Sequence, residues 1–357
     1  MEELYILQRE VGRGSYGVVF EGREKGAQGD RVAIKRLPCN SPECIQLYLQ
    51  ELWVMRTTSQ SHPNVIALHS CLVQTGPNTL QLLKPSRLPL DLVESALKGT
   101  VPPGQKHNTK VTNSNLSLSR KRPVGRTTKA VPRRCSALWL VMEYCEGGDL
   151  NQYILSQPPD EERNHSVIKQ LSSAIAFLHR LGIVHRDLKP DNVLVQLSKS
   201  GPIIKVADFG LSKMTERLSE GDQTRPAFSS TCGSDFYMAP EVWAGRNYTA
   251  QADIFSLGVL FWAVLERITF LEDGCTHEQL GAYYVRGRWL TPLGEALCQN
   301  PGLQLVIPMR GRRAPPLPPP PAPALCDLLL HMLASDPDAR PCAQELEGCL
   351  RRALRQR

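Results

Sequence analysis

Residues 185–192 read His-Arg-Asp-Leu-Lys-Pro-Asp-Asn, and three of them could do chemistry together. Asp187, Lys189 and Asn192 offer an acid, a cation and an amide, two and then three residues apart. Phosphoryl transfer uses such a set: a carboxylate takes the hydroxyl proton, a cation steadies the phosphate, and oxygen ligands hold magnesium. Apolar dipeptides flank the polar run, Ile183-Val184 before it and Val193-Leu194 after it. They predict two short buried strands holding the reactive loop between them.

This stretch resembles the catalytic loop of protein kinases, and Lys189-Pro190 is the form typical of serine/threonine kinases. The rest of the chain can be searched for the missing parts. Gly12-Arg13-Gly14-Ser15-Tyr16-Gly17 is a G-x-G-x-x-G run, a weak signal whose first competitor is a dinucleotide-binding turn. Such a turn should open a helix. Here Val18-Val19-Phe20 follows, a β-branched run that reads as a returning strand, so the loop resembles the kinase flap over nucleotide phosphates.

Lys35 closes the apolar run Val32-Ala33-Ile34. A lysine there is commonly a snorkelling surface residue. Behind this glycine loop it resembles the lysine that pairs with the α and β phosphates. The following segment has apolar residues at helical spacing and two acids, Glu43 and Glu51. Glu51 matches the kinase helix glutamate, while Glu43 suits a helix start, where a carboxylate favours the dipole. Leu140-Val141-Met142-Glu143-Tyr144-Cys145-Glu146-Gly147-Gly148-Asp149 has the kinase hinge pattern. The resemblance implies adenine contacts by backbone near Glu143 and Cys145, Met142 as gatekeeper and Asp149 near the ribose. Asp208-Phe209-Gly210 follows a strand and suits a magnesium ligand on a hinged segment.

The elements that must position these groups come next. Ile168, Leu171, Ile175 and Leu178 recur at helical spacing and lead into the reactive loop. Met238-Ala239-Pro240-Glu241 closes an activation segment, and Arg340 is placed to pair with Glu241. Asp253 opens an apolar helix and resembles the acid that braces the catalytic loop. Ser234 stands where a hydroxyl favours Ser/Thr acceptors. Arg186 could meet a phosphorylated activation-segment residue, Ser230 first and Thr231 second.

Composition bounds the rest. The 357 residues are 41% hydrophobic and 22% charged, as in ordinary globular proteins. Eleven scattered cysteines without a C-x-x-C pair point to free thiols in a reducing compartment. The start lacks a signal-peptide pattern, and the apolar run 254–265 falls short of the ~20 residues that cross a bilayer. A soluble intracellular protein with no membrane contact is expected. Ten of the cations behind the net charge of +7 lie in residues 98–134, which hold no Asp or Glu; the remainder carries −3.

That basic stretch sits in an insertion, 74–137, whose early part (80–97) is apolar enough to pack on a small lobe. Residues 98–134 cannot bury enough surface to offset their ordering entropy and read as disordered. Within them, 120–134 suits a solvated loop or a nuclear-import signal, and direct nucleic-acid binding is disfavoured because no aromatics are interleaved. Residues 315–323 are nearly all proline, a polyproline II run. With Arg312, Pro315 and Pro318 spell an R-x-x-P-x-x-P docking motif, although a solvated linker is the plainer reading.

Seven motifs in kinase order resemble the protein-kinase superfamily across nearly the whole chain. The expectation is an α+β bilobal protein-kinase fold over residues 5–351. Residues 1–143 form a small, mostly antiparallel β lobe, and 144–351 a mainly helical large lobe with a Pro-rich insertion at 312–323. The resemblance implies ATP-dependent phosphorylation of protein Ser/Thr hydroxyls with Mg2+, or Mn2+ in its place. Its ATP-site residues are Val11, Gly12, Gly14, Gly17, Val18, Ala33, Lys35, Glu51, Met142, Glu143, Cys145, Asp149 and Asp208. Asp187, Lys189 and Asn192 are catalytic, with Asn192 and Asp208 on the metal. The alternative is a catalytically weak kinase-like scaffold acting through its basic and Pro-rich insertions; its mark would be loss of Lys35, Asp187, Asn192 or Asp208, and all are present. Gly-Arg-Gly-Ser-Tyr-Gly-Val-Val, the 233–243 stretch, Ala-Asp-Ile-Phe, 92–99 and Leu-Glu-Arg-Ile-Thr-Phe further resemble serine/threonine kinase 35 and the PDZ-LIM-interacting (Clik) kinases. That group implies a nuclear location, with cytoplasm second. It also implies a PDZ-LIM-type cytoskeletal partner, beside an import receptor for 120–134 and a Pro-rich-motif-binding module.

Overall fold

A computed structural model of the chain describes residues 4–14, 17–26, 29–58, 61–76, 79–83, 93–94, 136–214, 234–271, 277–307, 313 and 315–355. Two lobes emerge from the pattern of the sequence. In the first, strands β1 (Tyr5–Gly14), β2 (Gly17–Glu24), β3 (Arg31–Pro38), β4 (Leu68–Gly76), β5 (Thr79–Leu83) and β6 (Ala137–Glu143) make one antiparallel sheet. Its order is β1-β2-β3-β6-β4-β5. β6 lies inside the sheet, and Ala137 to Val141 are all buried, which accounts for a continuous apolar run rather than alternation. One face of the sheet carries a small cluster around Tyr5, Val32, Ile34 and Trp139. The other packs on helix α1 (Pro42–Thr58). Pro42 begins α1, where a missing N–H costs nothing, and Ser41 Oγ accepts from Cys44 N at 3.3 Å as its cap.

Residues 74–76 continue β4, Thr79–Leu83 adds β5 as a sixth, outer strand, and Val93 is buried in the main core. The basic stretch 98–134 lies outside the described residues.

The second lobe contains α2 (Leu150–Ser156), α3 (Glu161–Arg180), α4 (Pro240–Trp243) and α5 (Gln251–Glu266). It also holds α6 (Leu293–Gln299), α7 (Pro323–Met332) and α8 (Ala343–Ala353), with four small two-stranded sheets among the described residues. Helix α5 is buried along almost its whole length, so its sequence is apolar on every side. Among the described residues no helix is long and apolar enough to cross a membrane. Strands β7 (Ile183–Val184) and β8 (Val193–Ser198) bracket the reactive loop as the flanking dipeptides predict. Strand β9 (Gly201–Val206) pairs with β8 and leads to Asp208. β10 (Lys213–Met214) pairs with β7. The remaining pairs are β11 (Thr269–Phe270) with β12 (Gln279–Leu280), and β13 (Tyr283–Arg286) with β14 (Trp289–Pro292). The Pro-rich run reaches α7 with Leu317 exposed and Pro318 to Pro321 against Glu161, Asn164 and His165. Arg312 of the docking motif is outside the described residues.

Candidate active site

Asp253 shows how a loop without regular structure is fixed. Its carboxylate is buried at the start of α5 and accepts from the backbone N–H groups of His185 and Arg186, both at 2.8 Å. The His179 ring lies 2.9 Å from the same carboxylate. Burial alone would raise the Asp253 pKa. The His179 hydrogen bond, the His179 and His185 charges and the Arg186 N–H outweigh it, and the group is held below the ordinary aspartate value. Arg186 adopts φ 72°, a left-handed conformation that side-chain-bearing residues avoid. Two backbone donors fastened to one buried acid hold it there, so the strain sits where the chemistry needs a sharp turn. His185 completes the fastening, with its ring 3.0 Å from the Ala207 carbonyl.

That turn delivers Asp187. Its Oδ1 accepts from Ser234 N–H and from Ser234 Oγ–H, each at 2.9 Å. Its Oδ2 accepts from Asn192 Nδ2 at 2.9 Å and lies 3.5 Å from Lys189 Nζ. Lys189 donates to Ser234 Oγ at 2.7 Å. The acid, cation and amide first noticed by spacing therefore meet at one carboxylate. Asn192 Nδ2 also donates to the Asp187 carbonyl at 2.8 Å, and the residue lines the cleft.

The second group converges from the small lobe. Lys35 Nζ donates to Glu51 Oε1 at 2.7 Å and reaches Asp208 Oδ1 at 3.4 Å. Glu43 sits in the first turn of α1, away from this pair. Burial disfavours the Lys35 charge, but Glu51 and Asp208 outweigh it and its pKa is raised. Glu51, buried and facing Asp208, is raised despite Lys35. Asp208 is pushed up by partial burial and pulled down by Lys35 and His185, with a lowered pKa as the result. It has φ 60°, a second left-handed residue at the site.

These groups line a cavity of about 760 Å³ between the lobes. Val11, Gly12, Gly14 and Gly17 roof it, Ala33, Lys35 and Glu51 form the back, and Asn192 and Asp208 lie on the floor. Met142, Glu143, Cys145 and Asp149 make the connecting edge. Val18 is a correction: Val19 lines the cavity and Val18 does not. Successive side chains of β2 point to opposite faces, so one residue of displacement exchanges inside for outside. Ile66, Leu194 and Ala207 add apolar lining that no motif marked.

The connecting edge is tied back to the large lobe. Gly147 N donates to Val195 O at 2.8 Å, and Val195 N to Gly148 O at 2.9 Å. A Cβ on Gly147 would lie 2.7 Å from Val195 O, and Gly148 has φ 72°, so both positions need glycine. Glu143 turns its carboxylate to Ala67 N–H at 2.7 Å and Lys205 at 2.9 Å, and its own N–H donates to the Ala67 carbonyl at 3.1 Å. Burial, then the Glu143 charge, pushes the Cys145 thiol up to about 12. Asp149 caps α2 by accepting from Gln152 N at 2.8 Å; burial and then Asp191 raise its pKa. The buried Arg340–Glu241 pair, with two contacts of 2.8 Å, fixes the end of the activation segment. Ser15, Tyr16, Ser230 and Thr231 lie outside the described residues.

The donors suit a hard cation. Asp208 and Asn192 offer oxygen donors on one cavity floor and would suit magnesium, which takes oxygen ligands. Among the described residues no group of three or more His, Cys, Asp or Glu could hold a metal alone.

A model of the protein kinase domain matches residues 124–348, and one of protein tyrosine and serine/threonine kinases matches 5–85. The chain is similar to serine/threonine-protein kinase atg1 of Dictyostelium discoideum, 40% identical over 129 residues, covering 36% of this chain and 18% of that protein. Serine/threonine-protein kinase ATG1c of Arabidopsis thaliana is 28% identical over 271 residues, 74% of this chain and 27% of that protein. The matches thus span 27% or less of these relatives' lengths. With both lobes matched, and Lys35, Glu51, Asn192 and Asp208 lining one cleft, the chain belongs to the protein kinase family, in its serine/threonine class.

Proposed function

We propose that the chain transfers the γ-phosphoryl group of ATP to serine and threonine hydroxyls of proteins. The observation that carries this is the set of partners around Asp187. Its Oδ1 is filled by two donors from Ser234, whereas Oδ2 has Asn192 and only a loose Lys189 contact. A substrate hydroxyl would reach Oδ2, which orients it and takes its proton as the new O–P bond forms. Lys189 then faces the transferred phosphoryl group, and Lys35, held by Glu51, faces the α and β phosphates. Asp208 and Asn192 would hold Mg2+, with Mn2+ as a substitute; when bound, the ion neutralises phosphate charge. Most of the acceleration comes from positioning and charge stabilisation, because the loose transition state asks little covalent chemistry of the protein.

Radiolabel transfer to a generic Ser/Thr substrate tests the reading, with wild type and Asp187→Asn compared at equal folded concentration. Equal incorporation by both would remove the catalytic assignment.

Finer parts of the reading rest on sequence. Phosphorylation of Ser230 or Thr231 would order the activation segment by pairing with Arg186, and phosphosite mapping with Ser230→Ala and Thr231→Ala checks this. The Clik resemblance and the 120–134 basic run support a nuclear location through an import receptor. A PDZ-LIM-type partner and a module docking on the Pro-rich run belong to the same proposal. Replacing Arg120, Lys121 and Arg122 by alanine should move the protein from nucleus to cytoplasm; unchanged nuclear signal would remove that part.

A further inference from the structure

The β13–β14 hairpin carries the most exposed large apolar side chain among the described residues, Trp289 at 69%. In its register Tyr284 opposes Thr291 and Arg286 opposes Trp289. Alternation therefore places these four on one face. Tyr284, Arg286 and Thr291 wall a groove of about 400 Å³, whose far side is Gln299 of α6 and Leu303 just after it.

The charge of this groove is one-sided. No acid lines it; Arg286 does, Arg288 stands beside it in the hairpin turn, and neither makes an ion pair among the described residues. Arg288 instead stacks over Trp289, 5.5 Å from the ring centroid. Glu295 of α6 is engaged with Gln299 at 3.1 Å. Tyr, Trp and Arg are the side chains that anchor protein interfaces, because each buries much apolar surface and still offers donors. A second copy would bring the same cations against these two. A nucleic-acid strand would need a longer cationic track. A short peptide with acids beside apolar side chains fits both the charge and the walls.

The groove is also joined to the reactive loop. Strand β14 and helix α6 both pack on the turn Asp235–Tyr237. That turn starts right after Ser234, whose hydroxyl donates to Asp187. We propose that the groove docks an acidic, apolar-flanked segment of the protein substrate, outside the acceptor site itself. The proposal rests on the kinase reading, and the experiment separates the two.

The probes are a fluorescein-labelled peptide alternating Glu with Leu, its Lys-for-Glu counterpart, and a generic Ser acceptor peptide with or without the Glu/Leu segment on a Gly/Ser linker. Anisotropy with the whole protein, without ATP, should show binding of the acidic peptide only. Arg286→Glu with Arg288→Glu, and separately Trp289→Ala, should weaken it about tenfold or more while the melting temperature stays unchanged. The tethered segment should lower KM about tenfold at constant kcat by raising effective concentration, and the double charge variant should erase that gain. Equal binding of both peptides, indifference to the variants, displacement by a single-stranded oligonucleotide in preference to peptide, or binding without any KM gain would each overturn the proposal. Absent transfer by wild type with intact, variant-sensitive peptide binding would remove the kinase reading and, with it, the identification of the occupant as substrate.

Discussion

Two sets of charged groups lie close to one another and are built on opposite plans. Around Lys35, Glu51 and Asp208 the charges face a cavity, are incompletely matched, and pull one another's pKa values in different directions. Around Asp253 and in the Arg340–Glu241 pair the charges are buried and every contact is short. A buried ion pair gives little net stability when formed but costs much when halved. Open groups can change partners during a reaction; closed groups only hold position. The difference separates residues that should govern rate from those that should govern folding.

The sharpest way to break that division is to substitute on the open side. Asp208→Asn, on the half-exposed member of that cluster, or Asp187→Asn should lower phosphoryl transfer by about 10²–10⁴-fold or more, with the urea unfolding midpoint unchanged. Equal loss of stability would mean the open cluster is also structural. On the closed side, Arg340→Ala strands the Glu241 carboxylate and should destabilise by about 3–5 kcal/mol in urea unfolding. Activity per folded molecule should fall far less than for Asp187→Asn.

Asp253→Asn should cost about 2 kcal/mol, since an amide NH2 must face a backbone donor. It also predicts a pH effect. The folded pKa of Asp253 is lowered, so its contribution is complete above the ordinary aspartate value of about 3.9 and is lost as pH falls through the folded value. Unfolding midpoints of the variant should therefore fall less steeply below about pH 4 than those of wild type. The smallest effect marks the edge of the open region. Val19→Ala should raise KM for ATP about fivefold, from roughly 1 kcal/mol of lost apolar contact, and Val18→Ala should leave it unchanged.

Much of the site was legible because phosphoryl chemistry restricts residue types at fixed spacing. Asp187, Lys189, Asn192, Asp208 and Lys35 stand in short motifs, each next to a strand whose apolar run is visible. Glu51 was separable from Glu43 because a helix start and a helix middle ask different things of a carboxylate. Val19 takes the place expected of Val18 because strand alternation, which decides which neighbour faces the cavity, has no fixed origin at an aperiodic loop tip. Features made by tertiary approach left no sequence signal. Arg267 donates to the Ile154 and Gln157 carbonyls, each at 2.9 Å, and closes the end of α2, yet reads only as a charge after an apolar helix. The Trp289 hairpin likewise becomes visible only when its solvent exposure is known. Tyr144, whose hydroxyl donates to Glu21 at 3.3 Å, tethers the connecting edge to β2 through a contact 123 residues apart in sequence.

The sixth strand has a consequence for how the chain tolerates change. β5 and β6 lie on either side of β4 and run in the same direction, with Leu83 opposite Cys71 and Ala137 opposite Gln74. Two strand spacings and three residues of register separate them, so the gap that residues 84–135 must bridge is about 14 Å. A handful of residues could span it, and closing a flexible loop costs only about 0.6 kcal/mol more for each doubling of its length. The phosphate-handling cleft is thus nearly indifferent to how long that bridge becomes. Sequence can accumulate or be trimmed there, Val93 and its burial excepted, without altering the spacing of Lys35, Glu51 and Asp208.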